Sequence, residues 1–480
     1  MEGRLRLYNS ITKTMEDFVP GKDGEVKMYI CGPTVYDSPH IGHARTYVMF
    51  DVIRRVLRDY MRYNVEFVMN ITDIDDKIIN RARSLGVPIG EITKKYTEEF
   101  FDDMKTLNVE YPLVVTYVTA YVEKIVRFIE DLEQNGYAYE SNRSVYFDLA
   151  KYKEKHEYPV MRNSEGINSE GDDNSDKRNA CDFALWKRAK ENELAYESRW
   201  GEGRPGWHIE CSVMSSDVLG DSLDIHAGGI DLGFPHHENE IAQCQGYFMK
   251  KPWTRCFLHT GHLNINGMKM SKSLKNFTTI KEMLARASAR QLRIMFLHYH
   301  WNKDMNYEEE QLRFAESVDK KISNFMSVTE SVGKGLWLAT ELNEAGRETI
   351  AELRSTQRAV HAAILDNIDT PTVMRRIMEI INFTNTRMWD APASVIISVR
   401  KYVRGILDVL GLCEEQIETS ANEDLIAQMI CEFRTDVRRM ARQKEHHSKF
   451  LERCDKVRDD IKEHGYLIED KNSESILRRK

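Results

Sequence analysis

Apolar residues change their spacing along the chain, and those changes sketch the architecture. Residues 26–31 form a short apolar run that Gly32-Pro33 breaks. From 44 to 61 the apolar positions Val48, Met49, Val52, Ile53, Val56, Leu57, Tyr60 and Met61 recur at helical spacing, with Arg54, Arg55, Arg58 and Asp59 on the other face. A second apolar run, 65–71, follows closely. Strand, helix and strand within about 45 residues predict a βαβ unit and hence a parallel sheet. Nucleotide sites of such sheets lie at the carboxyl ends of the strands, where Cys31 and Thr72 would stand.

The pattern is interrupted between about 111 and 200. A helix is expected over 119–134 and a β-rich piece over 137–149, and the stretch 162–177, full of Asn, Ser, Gly and charged residues, reads as a solvated loop. Sheet-like runs resume at 223–226 and 256–265, so the first domain is read as split by an insertion. After Phe277 the strands stop, and helical spacing covers 280–300, 308–330, 345–365, 371–388, 394–410 and 423–464. The expected fold class is therefore α/β, a parallel-sheet domain split by an insertion, followed by an all-α C-terminal region. No repeat of solenoid period and no long heptad run is present.

Composition narrows the class without changing it. A chain of 480 residues with 41% hydrophobic and 30% charged residues is globular and multidomain. No apolar run reaches the ~18 residues of a membrane span, and the first residues carry no signal or transit pattern, so a cytoplasmic enzyme is expected. The eight cysteines, at 31, 181, 211, 244, 256, 413, 431 and 454, read as reduced thiols with metal ligation as the one special role. A net charge of −8 does not advertise nucleic-acid binding, yet residues 434–462 hold ten Lys/Arg against six Asp/Glu. On composition alone that segment is a solvated helix face.

Two short motifs point to nucleotide chemistry. Pro39-His40-Ile41-Gly42-His43 stands between the first strand and the first long helix. A glycine there admits a flat base or a phosphate to the backbone, the helix start offers free N–H groups, and two imidazoles can donate to phosphate oxygens. The bland alternative is that the histidines cap the helix. Gly267-Met268-Lys269-Met270-Ser271-Lys272-Ser273 carries two lysines suited to a polyphosphate; alone it is a basic turn. Together, in this order, the two motifs mark an enzyme that activates its substrate with ATP.

A third constellation suits a metal. Cys31 ends the first strand, Cys211 lies in Gly206-Trp207-His208-Ile209-Glu210-Cys211, and His236 and Glu240 lie in Phe234-Pro235-His236-His237-Glu238-Asn239-Glu240. If a helix begins at Pro235, His236 and Glu240 share a face, and His237 turns away from His236 and reads as a supporting or structural residue rather than a ligand. Two thiolates, an imidazole and a carboxylate can hold Zn²⁺ tetrahedrally, though from spacing alone ordinary buried cysteines remain open.

These residues resemble the class I aminoacyl-tRNA synthetases, and within them the cysteine-specific family. The match includes Tyr29-Ile30-Cys31-Gly32-Pro33-Thr34-Val35-Tyr36-Asp37, Asn70-Ile71-Thr72-Asp73-Ile74-Asp75-Asp76-Lys77, Gly203 to Cys211, Phe234 to Glu240 and Lys269 to Ser273. It spans nearly the whole chain. The resemblance implies ATP-dependent activation of L-cysteine and its transfer to the terminal adenosine of tRNA(Cys), with Mg²⁺ accompanying ATP and one Zn²⁺ on Cys31, Cys211, His236 and Glu240. It implies catalytic roles for His40, His43, Lys269 and Lys272, ATP contacts from these and from Gly42 and Ser271, and an amino-acid pocket of Thr72, Trp207, His226 and Asp231. It divides the chain into a Rossmann-type parallel-sheet catalytic domain (1–110 and 201–275), the connective insertion (111–200), a stem-contact linker (276–330), a helical bundle (331–415) and an anticodon-binding region (416–480), acting as a monomer, and raises 434–462 to a tRNA phosphate contact. The chain departs from the family at Asp366-Asn367-Ile368-Asp369-Thr370-Pro371 and lacks a tryptophan near 444–450. The alternatives are an ATP-dependent ligase joining cysteine to an amino sugar, which lacks the C-terminal helices, and an inactive tRNA-binding paralogue, which would have lost the histidines or lysines.

Overall fold

A computed structural model describes residues 3–161, 176–190, 194–265, 267–269, 277–333, 341–413, 421–463, 466–471 and 474–479. It divides into two units, 1–412 and 413–480. The core of the first is a five-stranded, all-parallel sheet in the order Thr254–Thr260, Leu223–Gly229, Glu25–Ile30, Asn64–Ile71, Val114–Tyr117. The expected βαβ unit is present: the helix Ile41–Arg55 continues through a π turn, Val56–Tyr60, before the strand Asn64–Ile71. The helix buries nearly its full circumference, including Arg54 and Arg55, whose charges are met by Glu110 and Asp51.

Two boundaries differ from the sequence reading. The sheet takes its edge strand, Val114–Tyr117, from within the segment expected to be insertion, because Thr116 and Val115 pair with Asn70 and Met69. The insertion proper is a helix, Val122–Gln134, and a four-stranded antiparallel sheet of Ala138–Ser141, Ser144–Phe147, Phe183–Arg188 and Gly203–Pro205. Its last strand leads directly into the helix Trp207–Leu219 through Gly206, where a Cβ would meet the Ala184 carbonyl oxygen at 2.0 Å. The loop expected at 162–177 lies mostly outside the described residues.

Beyond Phe277 a short strand, Met305–Tyr307, pairs in parallel with Leu263–Ile265, so strands do not stop at Phe277. The helices Glu309–Gly333, Glu344–Leu365, Thr370–Arg387 and Ala393–Val409 follow. The expected helix over 280–300 is two, Ile280–Leu284 and Ala289–Leu297, because Ser288 and Gln291 form a capping box that restarts it. In the second unit the helices Ala421–Arg442 and His447–Glu463 are followed by a hairpin of Tyr466–Lys471 and Glu474–Arg479. The C-terminal region is thus mainly, not wholly, helical. Part of its basic charge is spent internally: Asp436 holds Arg439 at 2.7 Å and Arg453 at 2.6 Å. Among the described residues no helix is long and apolar enough to cross a membrane.

Candidate active site

The carboxyl ends of the strands Glu25–Ile30, Asn64–Ile71 and Leu223–Gly229 open into one cleft of about 350 Å³. Gly32 makes the strand crossing possible: its N–H donates to Asn70 Oδ1 at 2.8 Å, and a Cβ there would overlap the Asn70 carbonyl oxygen. Of the residues singled out in the sequence, Cys31, His40, Gly42, His43, Thr72, Trp207, Cys211, Asp231 and His236 line the cleft.

On one wall, His40 is the N-cap of Ile41–Arg55. Its Nδ1 accepts from the Gly42 and His43 N–H groups at 3.1 and 3.3 Å, while His43 Nδ1 accepts from the His40 N–H at 3.3 Å. The rings stack at 3.8 Å between centroids. Capping and ligand binding are therefore not alternatives. An Nδ1 that accepts leaves the proton of a neutral imidazole on Nε2, so both rings keep one N–H donor for the cleft. Burial holds both neutral, pulling His40 down to about 4 and His43 well below its ordinary range.

Arg45, fully buried one turn further on, fixes this helix start to the far wall. Its guanidinium donates to the carbonyls of Gly261 at 2.7 Å and His262 at 2.6 Å, and to that of Lys303. The residues bracketing the lysine motif are anchored at the same wall. Lys269 pairs with Asn264, and past the motif Ile41 N–H donates to Thr278 O while the Phe277 ring meets His40 edge-on at 5.2 Å. Ser271 and Lys272 lie outside the described residues, so of that motif the structure places the Lys269 backbone.

The opposite wall is a buried cluster. Cys31, Cys211, His236 and Glu240 are 5%, 2%, 1% and 0% exposed, and one ligand atom from each lies within 4.8 Å of all the others, an arrangement able to hold a metal ion. Cys31 Sγ is 3.7 Å from Cys211 Sγ and 3.8 Å from Glu240 Oε1, and His236 Nε2 is 3.2 Å from that same oxygen. Burial, then the Cys211 contact, pushes the Cys31 thiol well above its usual range; burial likewise raises Cys211 and lowers His236. The Trp207 ring stacks on His236 at 4.4 Å.

Three placements correct the sequence reading. His226, expected in the amino-acid pocket, is not on the cleft wall. It is fully buried behind the cluster, its Nε2 2.9 Å from Glu240 Oε2. The helix bearing Glu240 begins at Glu238, after a π turn Gly233–His237 kinked at Phe234. That turn brings His237 inward, not away: its Nε2 is 3.4 Å from Cys31 Sγ and its Nδ1 2.8 Å from His259 Nε2. Cys31, His226, His237 and Glu240 form a second set of converging ligand atoms. Sequence reasoning also passed over Asn70, Tyr47 and Glu210. Tyr47 OH donates to the Cys31 carbonyl at 3.2 Å, and its place one turn after His43 was the only signal. Glu210 is buried, with Thr72 Oγ1 3.4 Å from its Oε2; burial, then Asp75 and Asp73, hold its carboxyl well above the usual range.

A parallel sheet split by an insertion, a His-x-x-His turn capping the first helix and a helical tail define a class I aminoacyl-tRNA synthetase, and the comparisons agree. Residues 17–317 match the model of tRNA synthetases class I (C) catalytic domain. The fold resembles a Mycobacterium tuberculosis methionyl-tRNA synthetase solved in complex with methionyl-adenylate (TM-score 0.60, 15% identity, covering 80% of this chain and 89% of that one). The chain belongs to the cysteine–tRNA ligase family: it is 65% identical to the cysteine–tRNA ligase of Encephalitozoon cuniculi over 100% of both chains. It is 40% identical to that of Pyrococcus horikoshii over 99% of each.

Proposed function

We propose that the chain joins L-cysteine to tRNA(Cys) at the expense of ATP, and that the cluster selects the amino acid by its sulfur. The observation that carries this reading is that Cys31, Cys211 and His236 open into the same cleft as His40 and His43. The helical C-terminal region, covered in full by the relatives, favours tRNA over an amino sugar as the acceptor.

The donor set suits zinc. Zn–S bonds of about 2.3 Å and Zn–N or Zn–O bonds of about 2.0–2.1 Å make tetrahedral edges of about 3.8 Å between sulfurs and about 3.4 Å between nitrogen and oxygen. Here those separations are 3.7 and 3.2 Å. When bound, zinc favours a soft thiolate over a hydroxyl and lowers the thiol pKa, a discrimination that pocket size alone, worth ~1–3 kcal/mol, cannot supply against serine. Cys31, Cys211, His236 and Glu240 would hold it. His226 fixes the Glu240 carboxylate, and Trp207 fixes the His236 ring.

In the first step a carboxylate oxygen of cysteine attacks the α-phosphorus of ATP and the bond to pyrophosphate breaks. The Nε2–H groups of His40 and His43 donate to the phosphate oxygens as charge builds on them, and Gly42 admits the nucleotide. The charges of Lys269 and Lys272 and the hydroxyl of Ser271 suit the departing pyrophosphate, which Mg²⁺ would accompany. In the second step a hydroxyl of the tRNA terminal adenosine attacks the carbonyl carbon and AMP leaves. Thr72 and Asp231 receive the polar end of the amino acid. The basic face of 434–462 meets tRNA phosphates, and the chain works as a cytoplasmic monomer. ATP–pyrophosphate exchange tests the reading: it should proceed with L-cysteine and not with L-serine, and tRNA(Cys) should then be charged. Equal exchange with both amino acids contradicts it.

A further inference from the structure

We infer that Asn367 and Trp301 are positioning residues of the nucleotide seat, holding Gly261 and His262 across the cleft from His40 and His43. This role rests on the proposed function and adds to it what keeps the far side of that seat in place. Asn367 and Ile368 lie between the helices Glu344–Leu365 and Thr370–Arg387, and both take left-handed backbone, with φ of 59° and 52°. Such backbone is uncommon outside glycine and costly for a β-branched side chain, and Ile368 is buried as well. The pair falls in the stretch 366–371, where the sequence departs from the pattern of the family it resembles. Strain of this kind persists where surrounding contacts over-determine it. Here the Asn367 N–H donates to Arg6 O at 2.9 Å, its Oδ1 accepts from Tyr8 N–H at 2.9 Å, and its carbonyl accepts from Trp301 Nε1 at 2.8 Å.

Trp301 carries that anchorage to the cleft. It is 1% exposed, and its own carbonyl accepts from the Gly261 N–H at 3.1 Å. The turn around it grips the same strand end: Asp304 Oδ1 accepts from His262 N–H at 2.8 Å, and the His262 carbonyl accepts from Met305 N–H at 2.8 Å. The approach leaves no room for a side chain, since a Cβ on Gly261 would meet the Lys303 carbonyl carbon at 2.3 Å. Gly261 is therefore seated by its main chain, and its place follows that of the turn. Arg45 closes the circuit from the other side, donating to the carbonyls of Gly261 and His262 and to those of His300 and Lys303. The helix that presents His40 and His43 is thus set against backbone whose further attachment is Asn367. Gly261 and His262 line the cleft together with His40, Gly42 and His43. None of these bonds reaches Cys31, Cys211, His236 or Glu240, so a loosened turn should be felt by ATP and not by cysteine.

ATP–pyrophosphate exchange, with the KM of ATP and that of L-cysteine measured separately, tests this role. Trp301→Phe keeps a buried ring and removes the Nε1–H. It should raise the ATP KM roughly three- to tenfold, the size of one lost hydrogen bond, while the cysteine KM stays within about twofold and zinc content is unchanged. Trp186→Phe is the matched control: Trp186 is also fully buried, but its Nε1 has no hydrogen-bond partner among the described residues, and both KM values should stay within about twofold. Asn367→Gly keeps the left-handed backbone and its bonds to Arg6 and Trp301, and should match the wild type. Asn367→Val, whose β-branched side chain disfavours that backbone, should reproduce the ATP-selective loss. The Asn367 pair decides the matter if Trp301→Phe does not fold. Equal rises in both KM values, an unchanged ATP KM in Trp301→Phe, or the same loss in both Asn367 variants would make the turn merely structural and overturn the inference. So would an ATP-selective loss in Trp186→Phe. Wild-type chain that shows no exchange with cysteine overturns the proposed function as well; wild-type exchange without the ATP-selective pattern overturns this inference alone.

Discussion

The two walls of the cleft are built in opposite ways. The nucleotide wall is local: His40 and His43 satisfy each other's backbone within four residues, and the stacked pair needs only a helix start beneath it. The metal wall is assembled from distant segments, with Cys31 180 positions from Cys211 and 209 from Glu240. A local device keeps its geometry when neighbouring structure changes, whereas a cluster gathered from distant segments depends on the placement of every one of them. The walls should therefore fail differently when disturbed.

The largest effect is expected at the metal wall. Cys211→Ser should lose zinc and reduce kcat/KM for cysteine by ~10³ or more, as measured by metal analysis beside pyrophosphate exchange. Retention of stoichiometric zinc with full activity would remove Cys211 from the site. Next, His40→Asn keeps an N-cap acceptor but removes the ring. It should cost ~10²–10³ in the rate of adenylate formation with little change in Tm. His40→Ala should add a stability loss of about 1 kcal/mol from the missing cap. An equal loss of stability in both variants would show that the cap does not separate from the ring. His226→Phe should weaken zinc binding by ~10–100-fold through a freed Glu240 carboxylate, while leaving ATP affinity unchanged.

That contrast also explains what could be read from the sequence. The sheet strands, the first long helix and the His-x-x-His turn were legible because each is encoded by neighbouring residues. The four cluster residues were legible as chemical types, and the resemblance, more than the spacing, joined them. His237 was misread because a π turn, not an α-helix, precedes Glu238, so consecutive histidines both point inward. His226 is buried beside Glu240, and an alternating strand pattern does not say whether such an imidazole faces a cleft or backs a ligand. The edge strand Val114–Tyr117 is four residues long and pairs only with a strand more than forty residues earlier, a partnership invisible to local periodicity.

A further effect concerns pH. Burial holds His40 at about 4 in the folded chain, below an unfolded value near 6.5. As pH falls, the unfolded state takes up the proton first. The stability that His40 contributes is thus complete above about pH 6.5 and lost as pH approaches about 4. The stability of the wild-type chain relative to His40→Asn, followed by chemical denaturation, should decline over that window. A difference independent of pH would mean that the ring is not held neutral.

The claim that the metal wall receives the substrate sulfur has a direct spectroscopic test. In the Co²⁺-substituted chain the Cys31 and Cys211 thiolates should give sulfur-to-cobalt charge-transfer absorption. Titration with L-cysteine should intensify that band to a one-to-one end point, and L-serine should leave it unchanged. A spectrum that cysteine does not alter, in a chain that still forms cysteinyl-adenylate, would contradict the account.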